Sequence, residues 1–136
     1  MAYLLMIDDN PQTQKYLGRI IRLRTRHQLG FAASATAAFE ALAAKRPDLV
    51  FLDLYIPGMD GIELFETLRR HPATQTIPVF FHTAVPLDPV ARMRLDRTQF
   101  EGLIEFPIEA SALSAQIEAA LESGRRQVRR WEPPPA

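Results

Sequence analysis

Asp8, Asp9, Asp53 and Thr83 are the residues whose types and positions suggest chemistry. Each follows a short apolar stretch: Tyr3 to Ile7 leads to Asp8-Asp9, Leu49 to Leu52 leads to Asp53, and the Ile77-Pro78-Val79-Phe80-Phe81-His82 run leads to Thr83. Such runs read as strands covered on both faces, the pattern of a parallel sheet interior. A charged carboxylate inside such a strand is costly, which places the acids at the strands' exposed C-terminal ends, where ligands of open α/β sheets bind. Three carboxylates at one rim repel each other, so without a cation at least one would keep its proton. A divalent cation relieves that conflict. Hard oxygen ligands suit Mg2+, which keeps several waters and takes one or two carboxylates plus a phosphoryl oxygen. An ionised aspartate is also a competent nucleophile toward phosphorus without an added base. Thr83 could hydrogen-bond a phosphoryl oxygen, with the small Ala84 beside it leaving room.

The elements that must position these groups follow from the same reading. Asn10 caps a first helix with Pro11 in its first turn, and Tyr16, Leu17, Ile20, Ile21 and Leu23 form its inward stripe. Its basic face, Lys15, Arg19, Arg22, Arg24 and Arg26, reads as solvated. Gln28 to Ser34 reads as the second strand. Ser34 or Thr36 then caps an alanine-rich helix with Phe39 and Leu42 inward, ending before Pro47. After Asp53, the Pro57-Gly58-Met59-Asp60-Gly61 segment is turn chemistry, and Asp60 caps a helix whose apolar face is Ile62, Leu64, Phe65 and Leu68. Asp88 and Pro89 open a fourth helix through about Leu95. Gly102 to Phe106 is a fifth strand ended by Pro107, and Ser111 to Glu122 a closing helix with Gly124 as its stop. Five alternations of strand and helix imply a doubly wound parallel sheet with right-handed crossovers and helices on both faces.

With 136 residues, 47% of them apolar, the chain fits one core. Sixteen basic and sixteen acidic residues cancel, so no overall field draws it to nucleic acid or an anionic membrane. The absence of cysteine excludes disulfides, thiolate metal sites and a thiol nucleophile. The opening apolar run is too short for a signal peptide or a membrane span, so the expected location is the cytoplasm. The segment 125–136, with four arginines and Trp131 before a proline run, is expected to be an extension with polyproline geometry at its end. His82 is expected to pack or hydrogen-bond on the far side of its strand, because alternation turns it away from the direction of Thr83. His27 and His71 are expected at the surface near helix ends, and no histidine is assigned to chemistry.

Taken as a set, the pair Asp8-Asp9, the loop Asp53-Leu54-Tyr55-Ile56-Pro57-Gly58-Met59-Asp60-Gly61, Thr83-Ala84 and Pro107 resemble the receiver domain of two-component response regulators, of the chemotaxis type. The resemblance covers residues 1 to about 124. It implies a flavodoxin-like sheet of five parallel strands in the order 2-1-3-4-5. It also implies Asp53 as phosphoacceptor, Mg2+ held by Asp9, Asp53 and the Tyr55 carbonyl with Asp8 acting mainly through water, and Thr83 as the switch hydroxyl. The donor would be a histidine kinase or phosphotransfer protein. Two positions depart from the family pattern. Phe106 stands where the family carries a lysine immediately before the proline, and Leu103 where it usually has the aromatic residue whose rotation reports phosphorylation. Tyr55, two residues after Asp53, could shield the phosphoryl site.

The expected function is a stand-alone receiver that signals by binding an unknown downstream protein and is not an enzyme. A homodimer could form through the fourth helix, fifth strand and fifth helix, or through the tail. The alternative is a phosphorylation-independent pseudo-receiver acting as a constitutive binding or dimerisation module. A hydrolase with an aspartate nucleophile is a third reading, but Tyr55 occupies the position where such enzymes place a second aspartate.

Overall fold

A computed structural model describes residues 1–83, 87–97 and 100–126. The three apolar runs are strands: β1 (Tyr3–Ile7), β3 (Leu49–Asp53) and β6 (Val79–Thr83), joined in one parallel sheet by β2 (Gln28–Ala32) and β7 (Gly102–Glu105). The sheet order is β2-β1-β3-β6-β7, the expected 2-1-3-4-5 arrangement once the five long strands are counted alone. Two further strands, β4 (Tyr55–Ile56) and β5 (Met59–Asp60), pair antiparallel around Pro57-Gly58. The turn expected there is thus the tip of a small hairpin, and Gly58 takes the positive φ of 90° that such a tip requires.

Alternation along the strands sorts their side chains onto two faces. Leu5, Ile7, Val50, Leu52, Val79 and Phe81 pack under α2 (Ala35–Ala44), α3 (Gly61–Arg70) and α4 (Pro89–Asp96). Leu4, Met6, Leu49, Phe51, Phe80 and Ile104 pack under α1 (Pro11–Arg24) and α5 (Ala110–Arg126). Phe51 and Phe81 are fully buried, one on each face, so truncating either to alanine costs about 3–5 kcal/mol.

Side-chain caps set where four of the helices begin. Asn10 accepts from the Gln12 N–H, Ser34 from Ala37, Asp60 from Ile62 and Glu63, and Asp88 from Ala91. Each such cap contributes about 1 kcal/mol. Ser34, rather than Thr36, is therefore the cap of α2.

Several expectations are corrected. Tyr16, Leu23 and Phe39, all expected to face inward, are exposed. α2 meets the sheet through Ala35 and Ala38, and turning these small residues inward turns Phe39 outward. The fifth strand ends at Glu105, before Phe106, and the Phe106–Pro107 peptide is cis. Gly124 does not stop the last helix, which runs to Arg126. A helix-stopping glycine takes a left-handed conformation, and among the described residues only Gly58 has positive φ. His27 is not a free surface group: its Nδ1 accepts from the Ala2 N–H at 3.0 Å, and its Nε2 meets Glu118 at 2.6 Å. His71 is exposed at the end of α3, as expected. Ala84, Pro86 and the segment 127–136 lie outside the described residues. No helix among the described residues is long and apolar enough to cross a membrane.

Candidate functional site

The C-terminal ends of β1, β3 and β6 lie side by side at one rim of the sheet. Ile7 is in register with Leu52, and Asp53 with His82. Asp8, Asp53 and His82 therefore form one row across three neighbouring strand ends, turned by alternation toward the α1 and α5 face. One ligand atom from each lies within 4.8 Å of the others.

Asp8 and His82 are each only 1% exposed. The Asp8 Oδ1 accepts from the Asn10 N–H at 2.7 Å, and its Oδ2 lies 2.7 Å from His82 Nε2. A carboxylate only accepts, so Nε2 carries the proton of this bond. His82 Nδ1 is buried with no hydrogen-bond partner. The Asp53 Oδ1 accepts from the Tyr55 N–H at 3.2 Å. Burial pushes the Asp53 carboxyl up to about 6; the Tyr55 N–H and the charge of His82 pull it down, and the charges of Asp8 and Asp9 push it further up. Its ionised form is thus disfavoured first by burial and then by the two acids beside it, a situation that a divalent cation would relieve. Asp8 and Asp53 supply the hard oxygen donors of this cluster, the kind that suit Mg2+.

Asp9 is exposed one residue beyond Asp8 and acts on Asp53 through its charge. Thr83 ends β6, is buried, and alternates away from His82 onto the opposite face from Asp53. Tyr55 is 48% exposed. The rim therefore unites Asp8 with Asp53, while Thr83 stands one residue out of register with them.

The residue missed from sequence is His82. Alternation does turn it away from Thr83, but the register partner of Asp53 is His82, so turning away from Thr83 means turning toward the acids. Two in-register parallel strands point paired residues to one face, but counting back from the strand ends would pair Asp53 with Thr83; the one-residue offset that brings in His82 is set only by how the two strands pair.

The loop after Asp53 is held from both sides. Gly61 donates to the Leu54 carbonyl at 3.0 Å, and a Cβ at Gly61 would run into the Asp53 carbonyl oxygen and come within 2.8 Å of Leu54 Cα. Asp60 is gripped by Arg94 of α4. On the opposite flank, Phe106 meets Tyr16 edge-on at 5.4 Å and His82 edge-on at 5.8 Å between ring centres. Leu103 packs against the other face's core.

The model of the response regulator receiver domain matches residues 4–118. The transcriptional regulatory protein AfsQ1 of Streptomyces coelicolor is 31% identical over 127 residues, a match covering 93% of this chain and 54% of that protein. The transcriptional regulatory protein GlrR of Escherichia coli K12 is 32% identical over 126 residues, covering 89% of this chain and 26% of that protein. The chain thus spans about half of one relative and a quarter of the other. The signal receiver domain of a signal transduction histidine kinase from Syntrophus aciditrophicus superimposes with a TM-score of 0.82 at 26% identity, over 97% of this chain and 96% of that one.

Proposed function

The chain belongs to the response regulator receiver family, and from that premise we propose that it accepts a phosphoryl group on Asp53 from a histidine kinase or phosphotransfer protein and signals by binding another protein. Receiver domains are signalling domains, in general phosphorylated by histidine kinases and not enzymes themselves. The observation that carries the assignment to Asp53 is its place beside Asp8 at the sheet rim, with a carboxyl raised to about 6 by burial and neighbouring acids. One oxygen of the Asp53 carboxylate forms the new O–P bond as the N–P bond of the donor's phosphohistidine breaks. The donor nitrogen keeps the bonding pair and takes up a proton. Mg2+ held at the rim would supply neutralisation of the charge on the phosphoryl oxygens. Asp9, Asp53 and the Tyr55 carbonyl would hold the ion, with Asp8 acting mainly through water, and Thr83 would serve as the switch hydroxyl.

The protein is read as a cytoplasmic receiver whose last helix, α5, runs to Arg126, with a basic, proline-rich segment beyond. Its output surface is the face of α4, β7 and α5, where Val90 and Met93 are 67% and 56% exposed and could meet a downstream protein or a second copy. Phosphotransfer from phosphoramidate in Mg2+, followed by intact mass, tests the reading. One phosphoryl group on the wild type and none on Asp53→Asn is the expected result. A wild type that stays unmodified and binds its partner equally with and without beryllofluoride would favour the constitutive binding module instead.

A further inference from the structure

We propose that His82 is a phosphoryl-binding residue, its Nε2–H leaving Asp8 to donate to an oxygen of the group on Asp53. The proposal rests on the phosphoacceptor reading above. A phosphoryl group brings nearly two negative charges to a rim that already holds Asp8 and Asp9. A cation can hold part of that charge, but oxygens turned away from it need hydrogen-bond donors fixed in advance. Among the described residues, His82 supplies the side-chain nitrogen of this cluster. Arg94 is engaged by Asp60, and the position where the family carries lysine holds the hydrocarbon ring of Phe106.

The sheet order makes the geometry specific. β1 and β6 are not neighbours; β3 lies between them. Neighbouring strands are roughly 4.8 Å apart, so the bond from His82 to Asp8 has to span the end of β3, where Asp53 sits. A group added to Asp53 grows against that bridge. His82 is buried, and Phe106 packs edge-on against its ring on the α1 and α5 face, fixing the imidazole at the rim. Nδ1 has no hydrogen-bond partner, so a single hydrogen bond ties the ring to Asp8, and Nε2 can exchange one acceptor for another. Phe106 thus shapes the site while His82 serves it: the donor comes from β6 instead of from the end of β7.

Beryllofluoride binding in Mg2+, followed by 19F NMR on the full chain, tests this with wild type, His82→Gln, His82→Val, Phe106→Lys and the His82→Val/Phe106→Lys double variant. Wild type and His82→Gln, which keeps an N–H donor, should bind within a few-fold of each other. His82→Val should bind about tenfold or more weakly, the scale of one hydrogen bond to a charged group. The double variant should regain most of that loss, because a lysine at 106 supplies a donor from the neighbouring strand. Equal binding by wild type and His82→Val overturns the role of His82 and leaves Asp53 as acceptor. A loss in His82→Val that the double variant, folded by circular dichroism, does not recover also overturns it. Failure of the wild type to bind beryllofluoride overturns the phosphoacceptor reading itself.

Discussion

Arg94 grips Asp60 through two hydrogen bonds, Nη1 to Oδ2 at 2.8 Å and Nη2 to Oδ1 at 3.1 Å, and so ties α4 to the residue that caps α3. Burial alone would raise the Asp60 carboxyl, but the Arg94 hydrogen bonds, the Ile62 and Glu63 N–H groups and the Arg94 charge together hold it below the usual range. The loop that follows Asp53 is thereby fastened to the helix on the proposed output surface. Both side chains are partly exposed, so the pair contributes less than about 1 kcal/mol to global stability. Arg94→Ala should change the melting temperature little while raising amide exchange across α4 at least several-fold, read by hydrogen exchange with mass spectrometry. Unchanged exchange in α4 would show that the pair does not hold the helix.

Asp53 carries a stability cost that depends on pH. Its carboxyl is raised from 3.8 to about 6, chiefly by burial. The folded state therefore holds its proton more tightly than the unfolded state, and stability falls as pH rises through the window between those two values. Asparagine carries no such charge. The full shift would correspond to about 3 kcal/mol, which solvent screening of this partly exposed carboxyl reduces to about 1 kcal/mol. Without metal, Asp53→Asn should therefore melt a few degrees higher than the wild type above pH 6, and the gap should close toward pH 4. Mg2+ should raise the wild-type midpoint and leave the variant nearly unmoved. Thermal melts at both ends of the window, with Mg2+ and with chelator, check it; a wild type more stable than the variant at neutral pH without metal would refute it.

The strands and the rim were legible because each strand that feeds the site is an apolar run broken by an acid or hydroxyl. Tyr3–Ile7, Leu49–Asp53 and Val79–Thr83 announce themselves this way, and Asn10, Asp60 and Asp88 announce the helices that follow. What stayed hidden depends on relations between elements. The inward turn of Ala35 and Ala38 at the expense of Phe39 is set by how closely α2 approaches the sheet. The pairing of Asp53 with His82 is a register, and register is a property of two strands together. His27 looked like a surface residue because neither of its partners, Ala2 and Glu118, is near it in sequence.

Gly61 opens α3 where the chain passes closest to Asp53. A methyl group there would meet the Asp53 carbonyl oxygen and Leu54 Cα, both backbone atoms that cannot move aside as a flexible side chain would. Gly61→Ala must therefore displace the loop or the end of β3. A loss of about 2 kcal/mol or more in chemical denaturation is the expected outcome, together with weaker Mg2+ binding. Wild-type stability and Mg2+ affinity in the variant would mean that the loop has slack the geometry does not suggest.

Tyr16 shows how the flank opposite that loop is secured. Its hydroxyl donates to the Ile108 carbonyl at 2.8 Å and accepts from the Ile108 N–H at 3.2 Å, while its ring stands edge-on to Phe106. One α1 side chain thus satisfies both backbone groups of the residue after Pro107 and braces the ring that packs on His82. Tyr16→Phe keeps the aromatic contact and removes only the hydroxyl, so the loss should be about 1 kcal/mol. The local consequence should be larger than the global one, because the connection from β7 to α5 loses the bonds that fix Ile108. Amide exchange over residues 105–110 should rise while exchange in β1 and β3 stays as in the wild type. Tyr16→Leu, which also removes the ring from Phe106, should lower the melting temperature further and, if His82 binds the phosphoryl group, weaken beryllofluoride binding where Tyr16→Phe does not. Equal beryllofluoride binding by the two variants would show that the Phe106 ring holds His82 without help from α1.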